Sequence, residues 1–184
     1  VDGGTSHGDI LEKDINLAVA KKLYSQLRKR KYRVILNRNA DYALSEENHW
    51  LKTYSRHRKD LAQRKLPTEE LPVRIMISLH ANWSRDPSER GPLVLYQRGS
   101  PESKTLAECL QNKLNSLYGT RQSPAAGKTY YLLNRVQCPT VIVEMGFLSN
   151  AEDRKMLTGP RHQLQLAEAM AAGIGEYLQL RQRG

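Results

Sequence analysis

Stretches with helical periodicity alternate with short β-branched runs along the whole chain, and that alternation most narrows the folds open to it. From Glu12 to about Lys31, Ile15, Val19, Leu23 and Leu27 recur every four residues with Ala18 beside them, while Lys and Arg fill the opposite face. This is the pattern of an amphipathic helix. "YRVILNR" (32–38) then predicts a strand, a polar stretch from about Ser45 to Arg64 a helix, and "VRIMISL" (73–79) a second strand. "GPLVLYQ" (91–97) predicts a strand, "SKTLAECLQNKLNSLYG" a helix ended by Gly119, and "TYYLL" and "PTVIVEM" two further strands. A last helix is expected from Pro160 to about Leu180, burying Leu164, Ala167, Met170, Ala171 and Ile174. The irregular stretches are 83–92 and 120–128. The expectation is an α/β fold: one domain over residues 1–184, with a mainly parallel twisted sheet and helices on both faces.

A chain of 184 residues with 39% hydrophobic content can bury one sizeable core. It contains no apolar run of 18 residues, so no transmembrane segment is expected within it. Its 29 Lys and Arg against 19 Asp and Glu favour a polyanionic surface: nucleic acid, anionic lipid or cell-wall polymer. The basic residues are scattered through "KKLYSQLRKRKYR", "SRHRKDLAQRK" and "LQLRQRG" with no nucleic-acid-binding motif, which reads as solvated helix faces, and no nucleic-acid partner is expected. Cys109 and Cys138 form no C-x-x-C pattern and read as two buried thiols, although one bridge is compatible with the sequence.

In sheets of this kind ligands bind beyond the carboxyl ends of strands, and two predicted strands end in ionisable groups. "VRIMISLHAN" leads into His80 and Asn82, and "VIVE" ends in Glu144. His80 fits either a satisfied core histidine or a functional one. Glu144 needs a partner for a charge set among apolar residues, or a raised pKa; an arginine salt bridge is the structural alternative. Asp9 precedes Glu12 by three residues, a capping arrangement, yet Glu12 shares a helix face with Ile15 and points inward. Two Glu and one His from separate elements suit a catalytic zinc site, in which protein N and O donors leave one position for water and a free carboxylate takes the proton.

"GDILEKDINLAVAKKLYSQL", "LNRNAD", "ISLHAN" and "VIVEMGFLSN" occur in that order. They resemble, over nearly the whole chain, the zinc-dependent N-acetylmuramoyl-L-alanine amidases of the amidase 3 family. Within the family, "LEKDI" and the "YLL" segment are most similar to the germination-specific amidases of the spore cortex. The resemblance implies a Zn2+ cofactor held by Glu12 and His80, with Glu144 as general base and then general acid. The implied reaction cleaves the amide between N-acetylmuramic acid and L-alanine of the stem peptide, in the spore cortex on the way to muramic-δ-lactam. It also implies a substrate in extracytoplasmic peptidoglycan, an export signal outside this chain, and a partner deacetylase or activating lipoprotein. Asn82 is expected to brace the site.

The family's first zinc ligand is a histidine in "DPGHGG" after the first strand, and this chain begins at "VDGGTSHG". That strand and third ligand are therefore expected upstream of Val1. His7, five residues before Glu12, is closer in sequence than the family's histidine and is a poor substitute. The alternative functions are a non-catalytic peptidoglycan-binding relative, against which the presence of Glu144 argues, and a nucleic-acid-binding protein.

Overall fold

A computed structural model describes residues 4–183. Two short antiparallel strands, β1 (Ser6–His7) and β2 (Ile10–Leu11), lead into helix α1 (Glu12–Lys29). Ile15, Val19, Leu23 and Leu27 are all buried along one face of α1, as their spacing requires. A 3-10 turn (Leu44–Glu46), α2 (Arg56–Lys65) and α3 (Pro67–Glu70) follow. The main sheet is then built from β3 (Met76–Asn82), β4 (Leu93–Gln97), β5 (Ala125–Gly127) and β6 (Thr140–Phe147). Between them lie α4 (Pro101–Tyr118) and α5 (Tyr131–Arg135); α6 (Ala151–Thr158) and α7 (Pro160–Arg183) close the chain.

The strand order is β3-β6-β4-β5, with β3 parallel to β6, β4 parallel to β5, and β4 antiparallel to β6. The single-domain α/β architecture with a covered central sheet is as expected. On one face, Val141, Val143 and Met145 of β6 pack with residues of α1, α4 and α7 in one large cluster. On the other, Met76 packs with Leu132 and Val136, and Ile142 with Leu95 and Leu133. In α7, Leu166, Met170 and Ile174 are almost wholly buried, each worth about 1.5–3 kcal/mol of apolar transfer.

Five expectations are corrected. "YRVILNR" joins no strand ladder among the described residues, although Tyr32 and Val34 are half-buried while Arg33 and Ile35 are exposed; the pattern is strand-like, but a strand needs a hydrogen-bonded neighbour. "TYYLL" lies largely in helix α5, because a helical turn carries Leu132 and Val136 into one cluster with Met76. The ladder position beside β4 goes instead to Ala125–Gly127, in the stretch read as loop. Gly127 suits that position, since a Cβ there would force the Leu133 side chain to shift. The helix expected over 45–64 is confined to Arg56–Lys65, where Ser55 supplies the N-cap by accepting the Arg58 N–H. Leu164 is exposed, Gln163 taking the inward position one residue earlier. Helix α6 had no counterpart in the expected elements. Cys109 is buried and Cys138 half-buried, both free thiols. No helix among the described residues is long and apolar enough to cross a membrane.

Candidate active site

Strand alternation sets the site. Met76, Ser78 and His80 point to the same side of β3, and their register partners on β6 are Thr140, Ile142 and Glu144. His80 and Glu144 are thus side by side on the face away from the large helical cluster, near the carboxyl ends of two parallel strands. The Ser78 hydroxyl lies 3.0 Å from His80 Nε2.

The other ring nitrogen, His80 Nδ1, lies 2.9 Å from Glu12 Oε1. Glu12 opens α1, and its buried carboxylate collects several further donors. Oε1 accepts from the Ala81 N–H (3.3 Å) and Asn16 Nδ2 (3.2 Å), and Oε2 from the Thr5 N–H (2.8 Å). The capping alternative fails. The N-cap residue is Leu11, without a side-chain cap bond, and Asp9 is exposed. Gly4, at φ +66°, sits directly over Glu12, and any Cβ there would strike the carboxylate. Burial pushes the Glu12 carboxyl upward. The His80 and Thr5 hydrogen bonds, the His80 charge and the Asn16 bond outweigh it and hold the group below its ordinary range.

Glu144 has the opposite balance. It is 9% exposed and, among the described residues, makes no ion pair with an arginine or lysine. Burial raises its carboxyl; His80 opposes the shift and Glu12 adds to it. Two carboxylates with pKa values pushed apart are the arrangement of a fixed ligand-like group and a proton carrier. Tyr130 stands close by, its hydroxyl raised by burial and by the Glu144 charge. Asn82 differs from the expected brace. Its side-chain oxygen accepts the neighbouring Trp83 N–H (2.8 Å), and its backbone carbonyl accepts the Leu148 N–H (2.8 Å).

The Glu12 oxygen and His80 nitrogen are hard and borderline donors of the kind zinc accepts, and they already converge. Among the described residues no group of three His, Cys, Asp or Glu side chains comes together as a metal site. His7 is exposed on β1 and is not brought into one. The donors present therefore fit two corners of such a site.

The chain is similar to known proteins over nearly its whole length. The amidase 3 model, described as N-acetylmuramoyl-L-alanine amidase, matches residues 1–176. The germination-specific N-acetylmuramoyl-L-alanine amidase of Bacillus subtilis (strain 168) is 31% identical over 178 residues, 96% of this chain and 74% of the relative. The CwlD amidase from Clostridioides difficile, solved in complex with the GerS lipoprotein, superposes with a TM-score of 0.91 at 29% identity, covering 98% of this chain and 93% of that one. The catalytic domain of CwlV, an N-acetylmuramoyl-L-alanine amidase from Bacillus (Paenibacillus) polymyxa var. colistinus, gives 0.77 at 30% identity, covering 93% and 87%. The family match and these likenesses define the class as a peptidoglycan amidase. The chain belongs to the N-acetylmuramoyl-L-alanine amidase family of the amidase 3 type.

Sequence reasoning passed over Ser78, Asn16 and Thr5. Ser78 was legible as the same-face neighbour two residues before His80, and Asn16 as the residue one helical turn after Glu12. Thr5 contributes only its backbone N–H, which no side-chain pattern announces.

Proposed function

We propose that this chain hydrolyses the amide between the lactyl group of N-acetylmuramic acid and L-alanine of the peptidoglycan stem peptide, with zinc as cofactor. The observation that carries the reading is the Glu144 carboxylate, buried without an arginine or lysine ion pair among the described residues and set beside the Glu12–His80 pair. Glu12 and His80 would hold the metal. Bound there, zinc would supply Lewis-acid chemistry, acidifying water and polarising the scissile carbonyl. Glu144, a buried carboxylate that makes no ion pair with an arginine or lysine among the described residues, takes the proton of the attacking water and returns it to the departing L-alanine nitrogen. The rigid strands fix His80 and Glu144 relative to each other more tightly than a loop would.

The germination-specific relative and the likeness to CwlD support the spore cortex as the place of action, outside the cytoplasm, with a deacetylase acting on the stripped muramic acid. A lipoprotein is the kind of partner the CwlD complex suggests. The test is release of stem peptide from purified peptidoglycan by the full-length protein and by Glu144→Gln. The Gln variant, close in shape but unable to accept a proton, should keep its metal content and lose roughly a hundredfold to ten-thousandfold in turnover. Near-normal turnover would remove Glu144 from the mechanism, and no release by the parent would favour a non-catalytic wall-binding relative.

A further inference from the structure

Two features near the site have no part in the chemistry above: the buried carboxylate of Asp153, and the "GFLSN" run that follows Glu144. They meet at a bulge. His80 pairs with Glu144 but Asn82 pairs with Phe147, so two residues of β3 span three of β6. The extra residue falls at Met145–Gly146, directly after Glu144, and Gly146 has φ +150°, a conformation that side chains rarely adopt. A bulge takes backbone groups out of the ladder, and buried ones need other partners.

Asp153 and Tyr118 supply them. One oxygen of Asp153, Oδ2, accepts the Phe147 N–H (2.8 Å) on β6 and the Gly91 N–H (2.7 Å) at the approach to β4. Leu93, two residues past Gly91, is the β4 partner of Glu144 itself. The Tyr118 hydroxyl donates to the Met145 carbonyl, the residue after Glu144. A Cβ on Gly146 would lie 3.1 Å from Asp153 Oδ2 and 3.2 Å from the Tyr118 hydroxyl, so both groups are packed against the bulge. Asp153 is itself held. Its N–H is accepted by Asn150 Oδ1, the N-cap of the eight-residue helix α6, whose side-chain amide also donates to the Pro87 carbonyl. The "GFLSN" segment thus ties β6, the 83–92 loop and α6 together behind the proton-carrying carboxylate.

We propose that Asp153 is a positioning residue for the hydrolysis, locking the β6 bulge together with Tyr118 so that Glu144 keeps its aim at the reacting water. The inference rests on the reading of Glu144 as the general base. Misplacement of a proton acceptor by about 1 Å costs turnover more than substrate binding. Asp153→Ala should therefore lower kcat ten- to a hundredfold while KM on a soluble muramyl-peptide fragment stays within about twofold of the parent. Asp153→Asn should recover kcat to within about fivefold of the parent, because a single amide oxygen can still accept both N–H groups. Tyr118→Phe keeps the ring and loses one hydrogen bond, and should lower kcat roughly three- to tenfold.

The variants are to be measured in the full-length enzyme, well below each one's thermal midpoint. A folded Asp153→Ala with the parent's kcat would overturn the proposal, as would a rise in KM at constant kcat. If Asp153→Ala does not fold, the Asn and Phe variants decide: an Asn variant as impaired as Glu144→Gln, or a Phe variant as fast as the parent, overturns it. Glu144→Gln in the same assay separates the two ideas. If that variant turns over normally, the reading of Glu144 fails and this inference with it; if it is dead while Asp153→Ala is unimpaired, only the positioning role fails.

Discussion

Glu12→Gln tests the site through stability, without requiring catalysis. In the parent, Oε1 faces three donors and Oε2 a fourth, the Thr5 N–H. A glutamine can place its oxygen at the Oε1 position and keep neutral versions of those bonds, but its NH2 group then confronts the Thr5 N–H. One charge-assisted bond is lost, worth about 1.5–3 kcal/mol, and the remaining three fall toward the 0.5–1.5 kcal/mol of neutral pairs. Allowing for partial relaxation, the variant should lose about 2–4 kcal/mol. A glutamate that only complemented the α1 dipole would lose about 1 kcal/mol or less. The assay is urea unfolding of the metal-free protein at pH 7, with chelator present, read as a shift in midpoint at constant slope. The pH dependence has a definite sign. Because the folded-state pKa of Glu12 is depressed, its contribution is complete above the unfolded-state value and disappears as pH falls through the folded one. The gap between parent and variant should be widest near neutrality and close in acid. A difference under 1 kcal/mol at pH 7, or one that widens in acid, would refute the picture of Glu12 as a buried hub.

Glu144 predicts the reverse. With its pKa raised, its charged form opposes folding as pH climbs through the folded value, so metal-free Glu144→Gln should be more stable than the parent at pH 7 and equal to it in acid, measured by the same unfolding series. Activity should vanish on chelation and return only with added metal; full activity in metal-free protein would exclude zinc from the mechanism. Asp9→Ala should change stability by less than about 0.5 kcal/mol by thermal melting, since the structure leaves that side chain exposed and outside the cap.

Elements with a strong internal period were readable from residues alone. Helix α1 follows from four aliphatic residues spaced by four, and β3 and β6 from unbroken apolar runs that can only be covered on both faces. The three residues put forward for the chemistry, Glu12, His80 and Glu144, were legible because each is an ionisable group where the local pattern calls for apolar burial. What the sequence could not decide depends on neighbours. Tyr131–Leu133 has strand-forming residues, but its helix answers to Met76 of β3, against which Leu132 and Val136 pack, and Ala125–Gly127 has little strand propensity but lies where β4 offers a free ladder. Likewise, opposite shifts of two chemically identical carboxyl groups belong to tertiary structure. Glu12 is surrounded by donors brought from Thr5, Asn16, His80 and Ala81, while Glu144 is buried without an ion pair among the described residues. The bulge that Asp153 holds is a relation between strand registers and has no signature along the chain. Periodicity is a property of one segment, whereas pairing, solvation and proton affinity are fixed only when distant segments are brought within hydrogen-bonding reach of one another.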